Sequence, residues 1–157
     1  MVEDLAGEYG LWGEFEHGVD DKGRVVMPQE FRAALGEQFV LTRGPEHAIF
    51  VFPMDVWRAV ESRLRGGVMD RERAFLRQMM AGSRTIVRLD PQFRLAIPKL
   101  LREWAGITQS ETAVIVGQDN KLEIWSKSNW MKQMEAFTYD RLFQAAEAIG
   151  LAEVGVR

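Results

Sequence analysis

Cysteine is absent from this 157-residue chain. That absence excludes disulfides, thiolate nucleophiles and metal sites built on cysteine. Long apolar runs are also lacking, because none approaches the roughly 20 residues that span a bilayer. The first residues are acidic and lack the basic and apolar segments of a signal peptide. We therefore expect a soluble, cytoplasmic protein.

Histidine is scarce, and the two present are His17 and His47. His17 stands among glutamates with no second ligand nearby, which favours a surface histidine over a metal ligand or a catalytic base. The sequence also lacks the P-loop, the HExxH motif and the GxSxG motif. We expect no metal, no cofactor and no enzymatic activity.

Charge is distributed unevenly along a chain whose net charge is −3. Residues 1–56 carry −7, residues 57–94 carry +5 and residues 95–157 carry −1. Arginine favours bidentate contact with phosphate, carboxylate or a guanine edge. A solvated, ion-paired helix face is the alternative for this basic stretch. All nine basic residues of the middle segment are arginines, at positions 58, 63, 65, 71, 73, 77, 84, 88 and 94.

An internal repeat organises the sequence. The segment from Asp20 through Arg24 to Pro28 returns 70 residues later as Asp90, Arg94 and Pro98. Each copy has the pattern Asp-x-x-x-Arg, three apolar residues and proline, and the likeness continues to a glycine eight residues further on. Two copies of a long unit indicate a pseudo-symmetric pair rather than a solenoid, which usually needs at least three repeats. Since each half alone is marginal in size, we expect one shared core.

Each copy is predicted to run strand, turn, strand, short helix and hairpin. Glycine and aspartate mark the turns, and proline at the first helical position marks the short helices. The predicted strands cover residues 12–19, 25–27, 39–42, 48–52, 83–89, 113–116 and 122–125. The predicted helices cover residues 29–35, 54–65, 71–81, 99–105 and 130–149.

The longer helices carry more detailed predictions. Asp70 is a candidate N-cap for the helix 71–81, with Arg73 and Arg77 on its outer face. Ser128 or Asn129 is expected to cap the last helix. Trp57 and Trp130 occupy equivalent places in the two copies and are interpreted as packing residues. The side chains expected to face inward from the helix 71–81 are Ala74, Phe75, Leu76, Met79 and Met80.

The Asp-x-x-x-Arg turns are the candidate functional elements. A carboxylate at the turn entry and a guanidinium four residues on can meet across the loop, which fixes the arginine before it meets a partner. An arginine held this way suits contact with phosphate or with guanine in the major groove. The alternative is a purely structural Asp–Arg bridge. Two copies in register around an arginine-rich segment favour the binding role.

The chain resembles the MraZ family of bacterial transcriptional regulators. The resemblance rests on Trp12-Gly-Glu-Phe-Glu-His17, on both Asp…Arg…Pro motifs, on the segment 69–82 and on Gly117-Gln-x-Asn-Lys-x-Glu-x-Trp125. It implies an α+β fold in which two AbrB/MazE-like, pseudo-symmetric halves form one small β-barrel with peripheral helices. It also implies a ring-shaped homo-oligomer that binds double-stranded DNA at short direct repeats upstream of the division and cell-wall genes, in association with the nucleoid.

The resemblance also implies which residues bind DNA. The second copy departs from the family pattern at Pro91 and Phe93. Because phenylalanine does not adopt positive φ cheaply, the second turn is expected either to take another shape or to have drifted toward packing. The residues that match the family motif, and that are therefore the predicted DNA-binding residues, are Asp20, Lys22, Gly23, Arg24, Asp90 and Arg94.

The expected organisation follows from the repeat. Residues 1–11 form a flexible leader, residues 12–57 and 83–130 the two AbrB-like repeats, residues 58–82 arginine-rich linker helices, and residues 131–157 a C-terminal helix and tail.

Two other functions compete with the DNA-binding regulator. One is an oligomeric protein-interaction module of the antitoxin type, which would hold a partner with its C-terminal helix. The other is a hydrolase in which Asp20 and Asp90 share a proton, as paired carboxylates do in aspartic proteases. Neither aspartate is followed by the small Thr/Ser-Gly run of such sites, and each has an arginine nearby that would lower its pKa. The hydrolase is therefore disfavoured.

Overall fold

The computed structural model describes residues 10–67 and 70–154. Most of the predicted leader, residues 1–9, lies outside the described residues, as do residues 68–69 and 155–157. The strands are β1 Leu11–Gly18, β2 Arg24–Val26, β3 Phe39–Arg43, β4 Ile49–Pro53, β5 Thr85–Val87, β6 Arg94–Ala96, β7 Thr112–Asp119 and β8 Leu122–Ser126. The helices are α1 Gln29–Leu35, α2 Met54–Arg65, α3 Arg71–Ser83, α4 Lys99–Ala105, α5 Lys127–Ala136, α6 Tyr139–Ala148 and a 3-10 turn at Leu151–Val154. In these two ranges, none of the helices is both long and apolar enough to span a bilayer.

The strands form an antiparallel, six-stranded sheet with the order β1-β7-β8-β4-β3-β5, and a separate two-stranded ribbon of β2 and β6. The fold is therefore α+β, as predicted. The predicted barrel is not confirmed, because the six-stranded sheet is open, with β1 and β5 at its opposite edges.

The two copies are interleaved rather than laid side by side. Strand β1 of the first copy pairs with β7 of the second, and β5 of the second pairs with β3 of the first. The hairpins meet at the centre of the sheet through β4 and β8, and β2 pairs with β6. As a result, each copy completes the hydrogen bonding of the other.

Alternation along the strands gives the sheet two apolar faces. Leu41 faces a main core that also contains Phe31 of α1 and Leu101 of α4, with the ribbon residues Val25 and Leu95. On the other face, a second cluster lies beneath α2 and α3. The ribbon and the short helices thus cover one face of the sheet, and the longer helices α2 and α3 cover the other. The buried members of the second cluster are Val40, Phe52, Trp57, Met79 and Met80.

The spans of α1, α2 and α4 agree with prediction, and Asp70 caps α3 by accepting a hydrogen bond from the Arg73 N–H at 2.8 Å. The inward orientation of Phe75 was wrong, because its side chain is 64% exposed. Leu76, Met79 and Met80 pack against the sheet instead. Spacings of three and four residues link these three, so their stripe faces the core and Phe75 falls outside it.

The predicted single helix 130–149 is two helices, α5 and α6, with a break at Phe137 and Thr138. The cap of the first is Ser126, not Ser128 or Asn129, and its side chain accepts a hydrogen bond from the Asn129 N–H at 3.0 Å. Thr138 caps the second by accepting from the Arg141 N–H at 3.2 Å. A cap inside an otherwise helical run starts a new helix, because it supplies the acceptor that a first turn needs.

The equivalent tryptophans both pack, as predicted. Trp57 is buried in the second cluster and lies 5.7 Å from the Phe52 ring. Trp130 packs against Trp125 with 5.5 Å between the ring centroids.

Candidate nucleic-acid interface

The first turn is held by one carboxylate. Oδ1 of Asp20 accepts hydrogen bonds from the backbone N–H of Lys22 at 3.0 Å and of Arg24 at 2.8 Å. Oδ2 accepts from Nε of Arg24 at 2.8 Å. Gly23 closes the turn at φ 76, donating its N–H to the Asp20 carbonyl at 3.0 Å. The predicted carboxylate–guanidinium contact is therefore present, and it involves the backbone as well as the side chain.

The second turn has the same hydrogen bonds in spite of its different sequence. Oδ1 of Asp90 accepts from the N–H of Gln92 and of Arg94, each at 2.9 Å, and Oδ2 accepts from Nε of Arg94 at 2.7 Å. Phe93 adopts φ 61, close to the angle of its counterpart Gly23. The expectation that phenylalanine would avoid positive φ here was wrong. Two hydrogen bonds hold Phe93 in this conformation. Its N–H donates to the Asp90 carbonyl, and its carbonyl accepts from the Met27 N–H.

Both arginines reach solvent. The side chains of Arg24 and Arg94 are 25% and 30% exposed, and the aspartates that hold them are similarly accessible. The carboxylate engages Nε in each case, so this bond leaves the Nη groups available for other contacts. Such a guanidinium is oriented in advance and keeps donors for a partner.

The β2–β6 ribbon places both arginines on one face. Arg24 lies opposite Ala96 and Arg94 lies opposite Val26, whereas Val25 and its partner Leu95 are buried beneath. Residues opposite each other share a face, and so do residues two apart on one strand. The outer face of the ribbon therefore carries an arginine at each end, separated by about 7 Å along the strands.

Two further arginines support these turns, and sequence reasoning missed them. Arg102 of α4 packs against the first turn so closely that a Cβ at Gly23 would lie 2.7 Å from its Nε. Arg32 of α1 places its Cζ 4.0 Å from the centroid of the Phe93 ring in the second turn. Each helix thus supports the turn of the opposite copy. The signal was available, because arginine follows the proline of each repeat by four residues at both positions.

The two turns differ in charge. Lys22 is exposed in the first turn, and its counterpart Gln92 is neutral. The Gln92 side chain accepts a hydrogen bond from Nη2 of Arg94 at 3.2 Å. The second turn therefore has one cation fewer and holds its arginine by an additional contact.

The arginine-rich segment does not join this surface as a whole. Arg58, Arg63 and Arg65 lie on α2, and three more arginines lie on α3, all of them exposed. These helices cover the face of the sheet opposite the ribbon. Of the nine arginines, Arg94 is the one that belongs to an Asp-x-x-x-Arg motif. On α2, Arg65 forms an ion pair with Glu61 at 3.4 Å. For α2 and α3, the solvated helix face is the better interpretation.

Hydrogen bonding lowers the pKa of both turn carboxyls from the ordinary value of 3.8. For Asp20 the largest cause is the backbone N–H of Arg24; burial opposes it, and the Arg24 side chain and the Lys22 N–H lower the pKa further. The pKa of Asp90 is lowered by Arg94 and Gln92 in the same way. Both carboxylates are therefore fully charged at neutral pH.

Because the pKa of Asp20 and of Asp90 is lowered, the turns are expected to lose stability in acid. A depressed folded-state pKa contributes stability that is present above the unfolded value of 3.8 and is lost as the pH falls through the folded value. An NMR titration should place both midpoints below 3.8. In Arg24→Gln the Asp20 midpoint should rise only part of the way, because the backbone N–H remains, and Asp90 should not move. An unshifted midpoint in the wild type would contradict the hydrogen-bonded turn.

The remaining chemical candidates do not converge on a site. Asp20 and Asp90 precede opposite ends of the ribbon, each bound to its own arginine, so they share no proton. Nδ1 of His47 lies 3.0 Å from the Trp104 carbonyl, and the two rings are in contact at a tilt of 31°. Across residues 10–67 and 70–154, no group of three or more histidine, aspartate or glutamate side chains is arranged to hold a metal.

The fold is an interleaved, duplicated α+β arrangement with an arginine at each end of an exposed ribbon, which suits a protein that binds a partner. Comparison with known proteins gives the family: the chain belongs to the MraZ family. The family model described as "MraZ protein, putative antitoxin-like" matches residues 11–78 and residues 80–151, one match for each copy. The predicted resemblance is thereby confirmed.

Several curated relatives carry the name "Transcriptional regulator MraZ". The relative from Caldicellulosiruptor bescii is 39% identical over 145 residues, which cover 90% of this chain and 99% of the relative. The relative from Symbiobacterium thermophilum is 43% identical over 78% of this chain and 88% of its own length. The relative from Desulfitobacterium hafniense is 42% identical over 75% of this chain and 82% of its own length. The family is thus one of non-enzymatic transcriptional regulators.

Proposed function

We propose that this protein is a sequence-specific DNA-binding regulator that acts at the nucleoid as a ring-shaped homo-oligomer. Its sites are short direct repeats in double-stranded DNA, upstream of the division and cell-wall gene cluster. Residues 12–57 and 83–130 act as two AbrB/MazE-like units, and each contributes one Asp-x-x-x-Arg turn to the DNA surface.

The observation that carries the proposal is the outer face of the β2–β6 ribbon. The major groove of B-DNA is about 12 Å wide and admits a two-stranded ribbon. Arg24 and Arg94 stand at the two ends of this face, with the small Ala96 and the apolar Val26 between them. A groove contact made by this face would bring both guanidinium groups to base edges or to the flanking phosphates.

Each predicted site residue has a distinct role in this proposal. Asp20 and Asp90 orient the arginines, and their charge is already balanced when DNA arrives. Lys22 adds a phosphate contact to the first turn. Gly23 adopts the positive φ that the first turn requires and leaves room for Arg102, whose Nε would lie 2.7 Å from a Cβ at this position.

The net charge of −3 does not oppose DNA binding in an oligomer. Local basic patches set the field that DNA meets, and the acidic side chains elsewhere contribute less at a distance beyond the Debye length. A single protomer offers few base contacts. Affinity therefore comes from several protomers that engage successive repeats at high effective concentration.

The repeat requirement can be tested with three duplexes of equal length that carry three direct repeats, one repeat or a scrambled sequence. Fluorescence anisotropy should show the tightest binding to the first and a loss of about 100-fold or more on the second, because linked contacts add avidity. A fourth duplex, with the repeats moved by half a helical turn, serves as the geometric control and should bind like a single repeat. Equal affinity for all four would contradict the proposal.

A second function is favoured by the C-terminal helices. Tyr139 and Phe143 of α6 are 82% and 68% exposed, and Met134 of α5 is 59% exposed. Apolar surface of this kind marks an interaction site. An antitoxin-type module would bind another protein there, and that protein would co-purify with the wild type but not with a Tyr139→Ser, Phe143→Ser variant.

A further inference from the structure

Phe93 is the most unusual residue of the second turn. Its φ of 61 lies in the left-handed region, which is costly for a bulky side chain. The first copy builds the same turn with Gly23, for which this conformation carries no steric penalty. Conformational strain that persists in a folded protein is concentrated at ligand-binding and switch positions. The turn itself does not require a ring at this position, so the ring calls for another explanation.

Core packing does not supply that explanation. The Phe93 side chain is 47% exposed and does not belong to the main core, whereas Leu95, two residues on, is fully buried in it. The ring makes a cation–π contact with Arg32, whose guanidinium carbon lies 4.0 Å from the ring centroid. Arg32 is fixed in turn by donating from Nε to the Met27 carbonyl at 2.9 Å. The ring is therefore held in one place at the surface without being buried.

Phe93 lies next to Arg94, one of the residues proposed to contact DNA. Arg94 follows it directly and occupies one end of the outer ribbon face. Gln92 precedes it and accepts a hydrogen bond from Nη2 of Arg94, and the Phe93 side chain beside this pair is 47% exposed. In the major groove, an apolar side chain distinguishes thymine by contact with the C5-methyl group.

We propose that Phe93 is a specificity-determining residue that recognises the C5-methyl group of a thymine beside the base or phosphate contacted by Arg94. The inference rests on the proposed function. It gives the two turns different tasks. The first turn, with Lys22 and Arg24, contacts phosphate or guanine, and the second turn selects for a thymine.

The test removes only the methyl group. The probe is the duplex that the wild-type protein selects from a randomised 30-base-pair pool, with each thymine replaced singly by deoxyuridine. Burial of one methyl group corresponds to a change in Kd of about threefold to fivefold. We expect that loss at one thymine position of each repeat, and no loss at the other thymines.

Three variants separate this role from a structural one. In Phe93→Gly the second turn becomes like the first, and in Phe93→Asn the replacement tolerates positive φ, so both relieve strain. Both should bind the thymine and deoxyuridine duplexes with equal affinity. Arg58→Ala, which changes an exposed residue of α2 on the far face of the sheet, should discriminate between the two duplexes as the wild type does.

Each contrary outcome has a definite meaning. If the wild type binds the selected duplex in an Arg24-dependent manner but is indifferent to every deoxyuridine, the role of Phe93 is overturned and the proposed function stands. The role of Phe93 is likewise overturned if both Phe93 variants keep the wild-type discrimination. If selection enriches no sequence at all, the proposed function and this inference fall together.

Discussion

Replacing Arg24 with alanine is expected to abolish specific DNA binding and leave the fold intact. The Arg24 side chain is 25% exposed, and its hydrogen bond from Nε is to Asp20 of the same turn. A bidentate base contact contributes about 1–3 kcal/mol, and the loss recurs in every bound protomer, so affinity should fall by about 100-fold or more. Anisotropy titrations with the three-repeat duplex measure the loss, and circular dichroism checks the fold.

Two controls make the Arg24 result specific. Arg58→Ala removes the same charge from the opposite face of the sheet and should bind DNA nearly as well as the wild type. Arg24→Lys keeps the charge but loses the planar guanidinium, so its affinity for DNA should lie between that of the wild type and that of Arg24→Ala. For the wild type, log K should decline with log salt at about −0.9 per neutralised phosphate. If Arg24→Ala kept tight, salt-insensitive binding, the ribbon would not be the DNA surface.

Replacing Phe31 with alanine is expected to cost the fold a large part of its stability. Phe31 is fully buried between α1 and the sheet, and its ring meets Phe15 edge to face with centroids 5.3 Å apart. Phenylalanine-to-alanine changes in a core cost about 3–5 kcal/mol, against a total stability of about 5–15 kcal/mol. Urea unfolding followed by circular dichroism should show a much lower midpoint.

Phe75→Ala is the matched control for Phe31. The substitution is chemically the same, but the Phe75 side chain is 64% exposed on α3. A surface replacement of this kind changes the free energy of unfolding by about 0.5 kcal/mol or less. If Phe75→Ala lowered the free energy of unfolding as much as Phe31→Ala does, the Phe75 side chain would be buried and not exposed on α3.

Much of the local structure was predictable because the signals were local. Proline at the start of α1 and α4 and glycine after their ends define both helices, and Asp70 is a conventional N-cap. The hydrogen bond between each aspartate and its arginine followed from a spacing of four residues across a turn. These features require only neighbouring residues, so the sequence carries them directly.

The features that the sequence did not reveal depend on contacts between distant segments. Periodicity offers two apolar stripes on α3, and only the position of the sheet decides that Leu76 rather than Phe75 faces it. The positive φ of Phe93 is sustained by hydrogen bonds that include one from Met27, 66 residues earlier in the sequence. The packing of Arg32 and Arg102 against the turns depends on how the two copies interleave, which the repeat alone does not specify.

The mutual completion of the two copies has an evolutionary consequence. The Phe93 carbonyl accepts from Met27 of the first copy, and the Gly23 carbonyl accepts from Ile97 of the second. An ancestral single-copy polypeptide with this geometry would have needed an identical twin to finish its turns, and every substitution would have appeared in both. Two copies in one polypeptide are free of that constraint. Glycine stands in one turn of the ribbon and phenylalanine in the other, so a single chain presents two unlike turns.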